Sequence, residues 1–276
     1  MTGIAKKSLL TLALLLAAGC LRAGDWKLVW GDEFNYDGLP DPTKWGYEVG
    51  FVRNHEKQYY TRARIENAHV GNGVLTIECR KDHYTPPGHA PVEYTAASLI
   101  TRQTASWRYG RIEVRAQLPR GRGVWPAIWM LGTDHTQAGW PGCGEIDIME
   151  FVGKETNNIH GTIHYGVDGQ HRSETGLMKT LRPDEAFHVY AIEWYPDRID
   201  FFFDQTKYHT MRLDQAGTGA ENPFRKPQYL LLNFALGGSW GGPVDDSVLP
   251  QKFLIDYVRV YQQAGENPGT APSPAL

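Results

Sequence analysis

Between residues 25 and 262 the sequence keeps changing face every second residue. Short β-branched or alternating runs at 74–79, 109–116, 159–164, 188–194, 198–203 and 253–261 are separated by clusters of Gly, Pro, Asn and Asp. A repeat of two is the signature of a strand with one face buried. In that stretch no 3.6-residue periodicity lasts beyond two turns, so helices cannot supply the core. Many short strands over about 240 residues predict an all-β sandwich or barrel. The first run, 27–30, and the last, 256–261, are both strand-like, so the two ends of the domain are expected to pair. A chain of 276 residues buries enough apolar surface to fold without disulfides or metals as staples.

The segments outside this domain read differently. Lys6 and Lys7 precede an apolar run at 9–16, then small residues and Cys20. The run falls short of the roughly 20 residues that span a bilayer, so 1–19 is read as an export leader. Residues 16–20, Leu-Ala-Ala-Gly-Cys, resemble a lipobox. A lipid on Cys20 is therefore the expected membrane attachment, with periplasmic or secreted release as the alternative. Residues 263–276, rich in Pro, Gly and Ala, are expected to be disordered. Lys+Arg number 28 against 31 Asp+Glu, a net charge of −3. Loss of Lys6 and Lys7 leaves 26 against 31, or −5. No basic run with interleaved aromatics builds a phosphate-binding face, which excludes nucleic acid as a partner. Cys79 and Cys143 make no disulfide framework and have no zinc-ligand spacing; whether they pair is open. A monomer is expected.

The densest chemistry is Gly144-Glu145-Ile146-Asp147-Ile148-Met149-Glu150-Phe151. On a regular strand Glu145 and Asp147 share one face, while Glu150 would join Ile146 and Ile148 in the core. A buried unpaired carboxylate is costly. One extra residue at Ile148-Met149, a β-bulge, turns Glu150 back onto the face of the other acids. Three convergent carboxylates fit acid/base work better than calcium, which wants more oxygen ligands on a flexible loop. Retaining glycosidases need two carboxyl groups about 5–5.5 Å apart, one ionised and one protonated, and neighbouring negative charge divides the pKa values in that way. Trp125, Ala127 and Trp129 also share a strand face. They form either a platform for a glucose ring or core filler. Trp240, in the glycine-rich segment 237–242, is expected to face substrate.

The acid run resembles the signature of glycoside hydrolase family 16, in its bacterial laminarinase type of endo-β-1,3-glucanase. The likeness extends over blocks at 30–34, 56–60, 125–131, 161–165, 190–194, 232–238 and 256–261, in family order. It implies a β-jelly-roll sandwich of two antiparallel sheets with a concave substrate cleft, spanning 25–262. It further implies retention of anomeric configuration with no cofactor required for the chemistry. By the family pattern Glu145 is the nucleophile, Glu150 the general acid/base, and Asp147 the acid that tunes both. The extra residue before Glu150 resembles the laminarinase type and favours β-1,3-glucan as the polysaccharide partner.

The same resemblance places Trp125 and Trp129 in the cleft and selects His164, from the face shared by His160, Thr162 and His164, as the imidazole beside the carboxylates. It makes Arg53, Asn54 and Arg102 polar cleft residues; for Arg53 a solvated loop charge is the alternative. Asp256 is an acid inside an apolar strand and needs a partner. The resemblance suggests a structural calcium held by Asp256 and by backbone carbonyls at Glu33 and Gly73; a salt bridge to Arg259 or another base explains Asp256 as well. Two rival readings stand beside the glucanase. A non-catalytic glucan-binding protein would lose the glutamates, which are present here. A same-fold hydrolase of mixed-linkage glucan, agarose or carrageenan would keep them.

Overall fold

A computed structural model describes residues 26–263; the leader, Cys20 and most of the C-terminal tail lie outside the described residues. The chain forms two facing sheets. The ten-stranded sheet runs β15 (Thr206–Arg212), β14 (Arg198–Phe203), β13 (His188–Trp194), β8 (Gly110–Gln117), β17 (Gln251–Gln263), β5 (Val74–Tyr84), β6 (Val92–Ala96), β3 (Tyr59–Tyr60), with β1 (Trp26–Asp32) beside β17 and β4 (Ala68–Gly71) beside β5. The seven-stranded sheet runs β12 (Gln170–Lys179), β11 (Asn158–Val167), β10 (Glu145–Glu150), β9 (Val124–Gly132), β16 (Gln228–Leu236), β7 (Ser98–Ile100), β2 (Gly46–Tyr47). All pairings are antiparallel except the short one between β3 and β6.

The alternation explains this architecture. Ile112 and Val114 of β8, Ile192 of β13 and Val258 and Val260 of β17 point inward from one sheet, and Ile128, Met130, Ile146 and Ile163 meet them from the other. Each such burial is worth about 1.5–3 kcal/mol, so a one-residue slip would be penalised all along a strand. The ends of the domain pair as expected, with Trp26 opposite Gln263 and Asp32 opposite Val258. Cys79 and Cys143 are buried and unpaired, and burial pushes the Cys143 thiol up to about 11. Among the described residues no helix is long and apolar enough to cross a membrane.

Candidate active site

Strand β10 carries the acids on the outer face of the seven-stranded sheet. Gly144 precedes it at φ +73, and a Cβ there would lie 2.7 Å from Pro223, so only glycine launches the strand. The register against β9 steps from Asp147 opposite Trp129 to Met149 opposite Ile128, and that against β11 breaks between Asp147 and Glu150. This is the bulge expected at Ile148-Met149. Both of those side chains enter the core, at 1% and 0% exposure, and the spare step lets Glu150 emerge beside Glu145 and Asp147.

The three carboxylates line a cleft of about 580 Å³ whose walls include Trp125, Trp129, Arg53, Asn54 and Arg102. A second hollow of about 350 Å³ shares Glu145 and Glu150 with it and is walled by Trp240, His160 and His164. The acids thus sit where two stretches of one groove meet. Asp147 is buried, and its carboxyl is pushed well above the usual range by burial, by the charge of Glu145 and by a hydrogen bond with it. Glu150 is half-buried; burial, then the charge of Asp147, raises its pKa well above the ordinary glutamate value, while a hydrogen bond from Trp125 Nε1 to Glu150 Oε1 (3.0 Å) opposes the rise. His164 stands opposite Glu145 on β11, with Nε2 3.2 Å from Asp147 Oδ2. His160 turns away to Glu155, 3.2 Å from its Nε2.

The indole of Trp129 donates to Asn233 Oδ1 at 2.7 Å, Asn233 Nδ2 donates to the Tyr60 hydroxyl at 2.9 Å, and Tyr60 donates to Glu56 Oε2 at 3.1 Å. A buried file of hydrogen bonds therefore fixes the plane of the ring. Arg53 is no freely solvated charge. It ion-pairs with Glu48 and lies 4.8 Å from the centroid of Trp129. Arg102 lines the wall and donates to Thr136 Oγ1 at 2.8 Å; Asn54 donates to Glu56 Oε1 at 3.3 Å. Trp240 differs from the loose platform that its glycines suggest. It is half-buried on a single helical turn, Gly238–Gly241, and edge-on to Trp125 at 5.5 Å and to His160 at 4.9 Å.

Sequence reasoning passed over Trp140, whose Nε1 donates to Glu145 Oε2 at 2.8 Å, and His171, beside His164. Trp140 lies only five residues before Glu145, on the flank of the acid motif, and is 54% exposed; His171 reaches the acids only through His164, from a strand that carries no motif.

The expected calcium site does not fit its residues. The carboxylate of Asp256 is held by Arg115 at 2.6 Å, not by Arg259, and Arg259 instead grips Glu33 at 2.7 and 2.8 Å. A guanidinium on Asp256 places positive charge where a cation would have to sit. Among the described residues, Glu145, Asp147 and His164 form a cluster whose ligand atoms lie within 4.8 Å of one another, away from the expected calcium residues.

The profile of the glycosyl hydrolases family 16 matches residues 55–259. The chain is 50% identical over 255 residues to the beta-glucanase of Rhodothermus marinus, covering 87% of each. It is 34% identical over 265 residues to a glucan endo-1,3-beta-glucosidase of Cryptopygus antarcticus, covering 90% of this chain and 97% of that one. Its fold matches the X-ray structure of the laminarinase from Rhodothermus marinus with a TM-score of 0.80 at 47% identity, covering 88% of this chain and 100% of that chain. With its bulged acid strand in a two-sheet groove, the chain belongs to glycosyl hydrolase family 16.

Proposed function

We propose that this protein is a retaining endo-β-1,3-glucanase in which Glu145 attacks the anomeric carbon and Glu150 serves first as general acid and then as general base. The observation that carries this reading is the position of both glutamates at the junction of the two hollows. A chain lying along the groove then has sugar residues on both sides of the scissile bond, which is what cleavage inside a polymer requires. In the first half-reaction Glu150 passes its proton to the leaving oxygen as Glu145 forms the glycosyl ester. In the second, Glu150 takes a proton from water, which opens the ester with a second inversion and so retains configuration overall. The raised pKa of Glu150 keeps that proton available near neutrality. Asp147 modulates both charges, and His164 contacts Asp147. Trp125, Trp129 and Trp240 present apolar faces and edges to sugar rings, with Arg53, Asn54 and Arg102 supplying polar contacts.

No step passes through a metal, and calcium bound at Glu33, Gly73 and Asp256 would have to displace Arg115 from Asp256. The protein is taken to act as a monomer, which its molar mass in solution tests. Export with a lipid on Cys20 is supported by the leader pattern alone; labelled-lipid incorporation that is lost in Cys20→Ser tests it.

The assignment is tested by release of reducing ends from laminarin, lichenan, agarose and carrageenan, with laminarin expected to be cut fastest and into oligosaccharides. Glu145→Gln should lose at least about three orders of magnitude in turnover while still binding glucan, because only the covalent step is removed. Near-normal hydrolysis by that variant would overturn the reading.

A further inference from the structure

His171 sits on the edge strand β12 and lines neither part of the groove. It nevertheless joins the acids. Its Nε2 is 2.9 Å from His164 Nδ1, and the two rings stack at 5.2 Å with planes 20° apart. Trp140 packs against both, at 4.7 Å from His171 and 6.1 Å from His164. The other nitrogen of His164 lies 3.2 Å from Asp147 Oδ2, and a carboxylate oxygen of Glu145 lies within 4.8 Å of both groups. The four groups form a continuous file from the nucleophile to the sheet edge.

A neutral imidazole has one N–H and one lone pair, so the contact between the histidines has two senses. If His171 Nε2–H donates to His164 Nδ1, His164 must carry its own proton on Nε2, aimed at Asp147 Oδ2. That oxygen is buried and makes no hydrogen bond, so its 3.2 Å contact with His164 Nε2 is one that a proton on that nitrogen has still to close. If His164 donates instead, its bare Nε2 faces the buried oxygen, and that contact is met only by placing the Asp147 proton on Oδ2, where it can no longer be donated to Glu145.

We propose that His171 is a positioning residue that fixes the Nε2–H tautomer of His164, so that a one-way chain of hydrogen bonds through His164 and Asp147 ends on the ionised carboxylate of Glu145. Each donor in such a chain polarises the next. A protonated Asp147, favoured by its burial, supplies the last donor. Partial desolvation holds His171 below the ordinary histidine range, which favours the neutral donor. The titratable groups that face the pair are Glu145, Asp147 and, farther along β10, Glu150, and the uncharged Trp140 packs on both rings. The inference rests on Glu145 being the nucleophile.

The experiment compares His171→Phe, which keeps a flat ring against Trp140 but has no donor, with His171→Gln, whose amide N–H can replace it. The pH profile of kcat/KM on laminarin should show the acidic limb of the Phe variant moved up by about half a pH unit, roughly a threefold loss below the midpoint, with the plateau and glucan binding unchanged. The Gln variant should restore the limb. Nitrogen-15 spectra of histidine-labelled wild type should show His164 protonated at Nε2 and bare at Nδ1, a readout that does not depend on the variants folding. An unmoved limb in the Phe variant, a Gln variant that behaves like Phe, or a wild-type His164 protonated at Nδ1 would overturn the proposal. Retained turnover in Glu145→Gln would instead remove the nucleophile assignment beneath it.

Discussion

Trp125 and Glu150 show how one hydrogen bond adjusts a catalytic proton. The indole N–H, 3.0 Å from Glu150 Oε1, stabilises the carboxylate more than the acid and so pulls against the burial that raises the glutamate pKa. Replacing Trp125 by Phe keeps an aromatic plane in the groove and deletes only the donor. The Glu150 pKa should then rise further, and the basic limb of kcat/KM, which reports loss of that proton, should move to higher pH by up to about one unit. A limb that stays in place or moves down would mean the indole does not feed the acid/base group. Glu150 itself is tested by Glu150→Ala on a substrate with an activated leaving group. Azide, a nucleophile that needs no general base, should restore turnover and yield a glycosyl azide of retained configuration. A lack of any azide effect would count against the role.

At the scale of the element, the bulge in β10 is what reconciles three acids with one buried face. Deleting Met149 would leave Glu-Ile-Asp-Ile-Glu, a regular alternation that still sends every acid to the groove. The variant loses a fully buried side chain, at a cost of about 2–5 kcal/mol, and shifts the last acid along the sheet from its place opposite Ala127. Turnover on laminarin should fall by about two orders of magnitude, since a displacement of about 1 Å at the reacting groups has that effect, while the protein stays folded by circular dichroism. Wild-type turnover would show that the extra residue does not position Glu150. The bulge was legible in the sequence because burial of a carboxylate conflicts with strict alternation. The inner strands β13 and β14 were legible for the related reason that both their faces or one whole face is apolar. Strands β12 and β15 were not, because edge strands in water carry residues such as His171, Arg172, Ser173 and Glu174 without penalty and leave no apolar period. His171 reaches the site only through the pairing of β11 with β12, which no local pattern records, whereas Trp140, five residues before Glu145, lay beside the acid motif with no periodicity to single it out; the guanidinium partner of Asp256 was equally invisible, since β8 and β17 meet across a long separation in sequence.

Across the whole molecule, the site is a place where folding and catalysis pull in opposite directions. Asp147 and Glu150 both have folded-state pKa values raised above those of the unfolded chain. Below about pH 4, where the unfolded carboxyls are also protonated, neither group favours unfolding. As pH rises through the folded values, the unfolded chain ionises freely while the native state must either hold its protons or carry charges in a poorly solvated groove, so stability is lost. Glu150→Gln and Asp147→Asn keep the shape and hydrogen-bonding atoms of the side chains and cannot ionise. Each should therefore melt higher than wild type at neutral and alkaline pH, by at least about 2 °C for a domain of this size, with the gap closing near pH 4. The thermal scans should be run on the same preparations whose turnover is measured, because the reading requires the gain in stability and the loss of activity to occur together. Variants that melt no higher than wild type at pH 8, or a gap that widens on acidification, would show that these carboxyls are not held protonated by the fold, and the division of labour between Glu145 and Glu150 would lose its electrostatic basis.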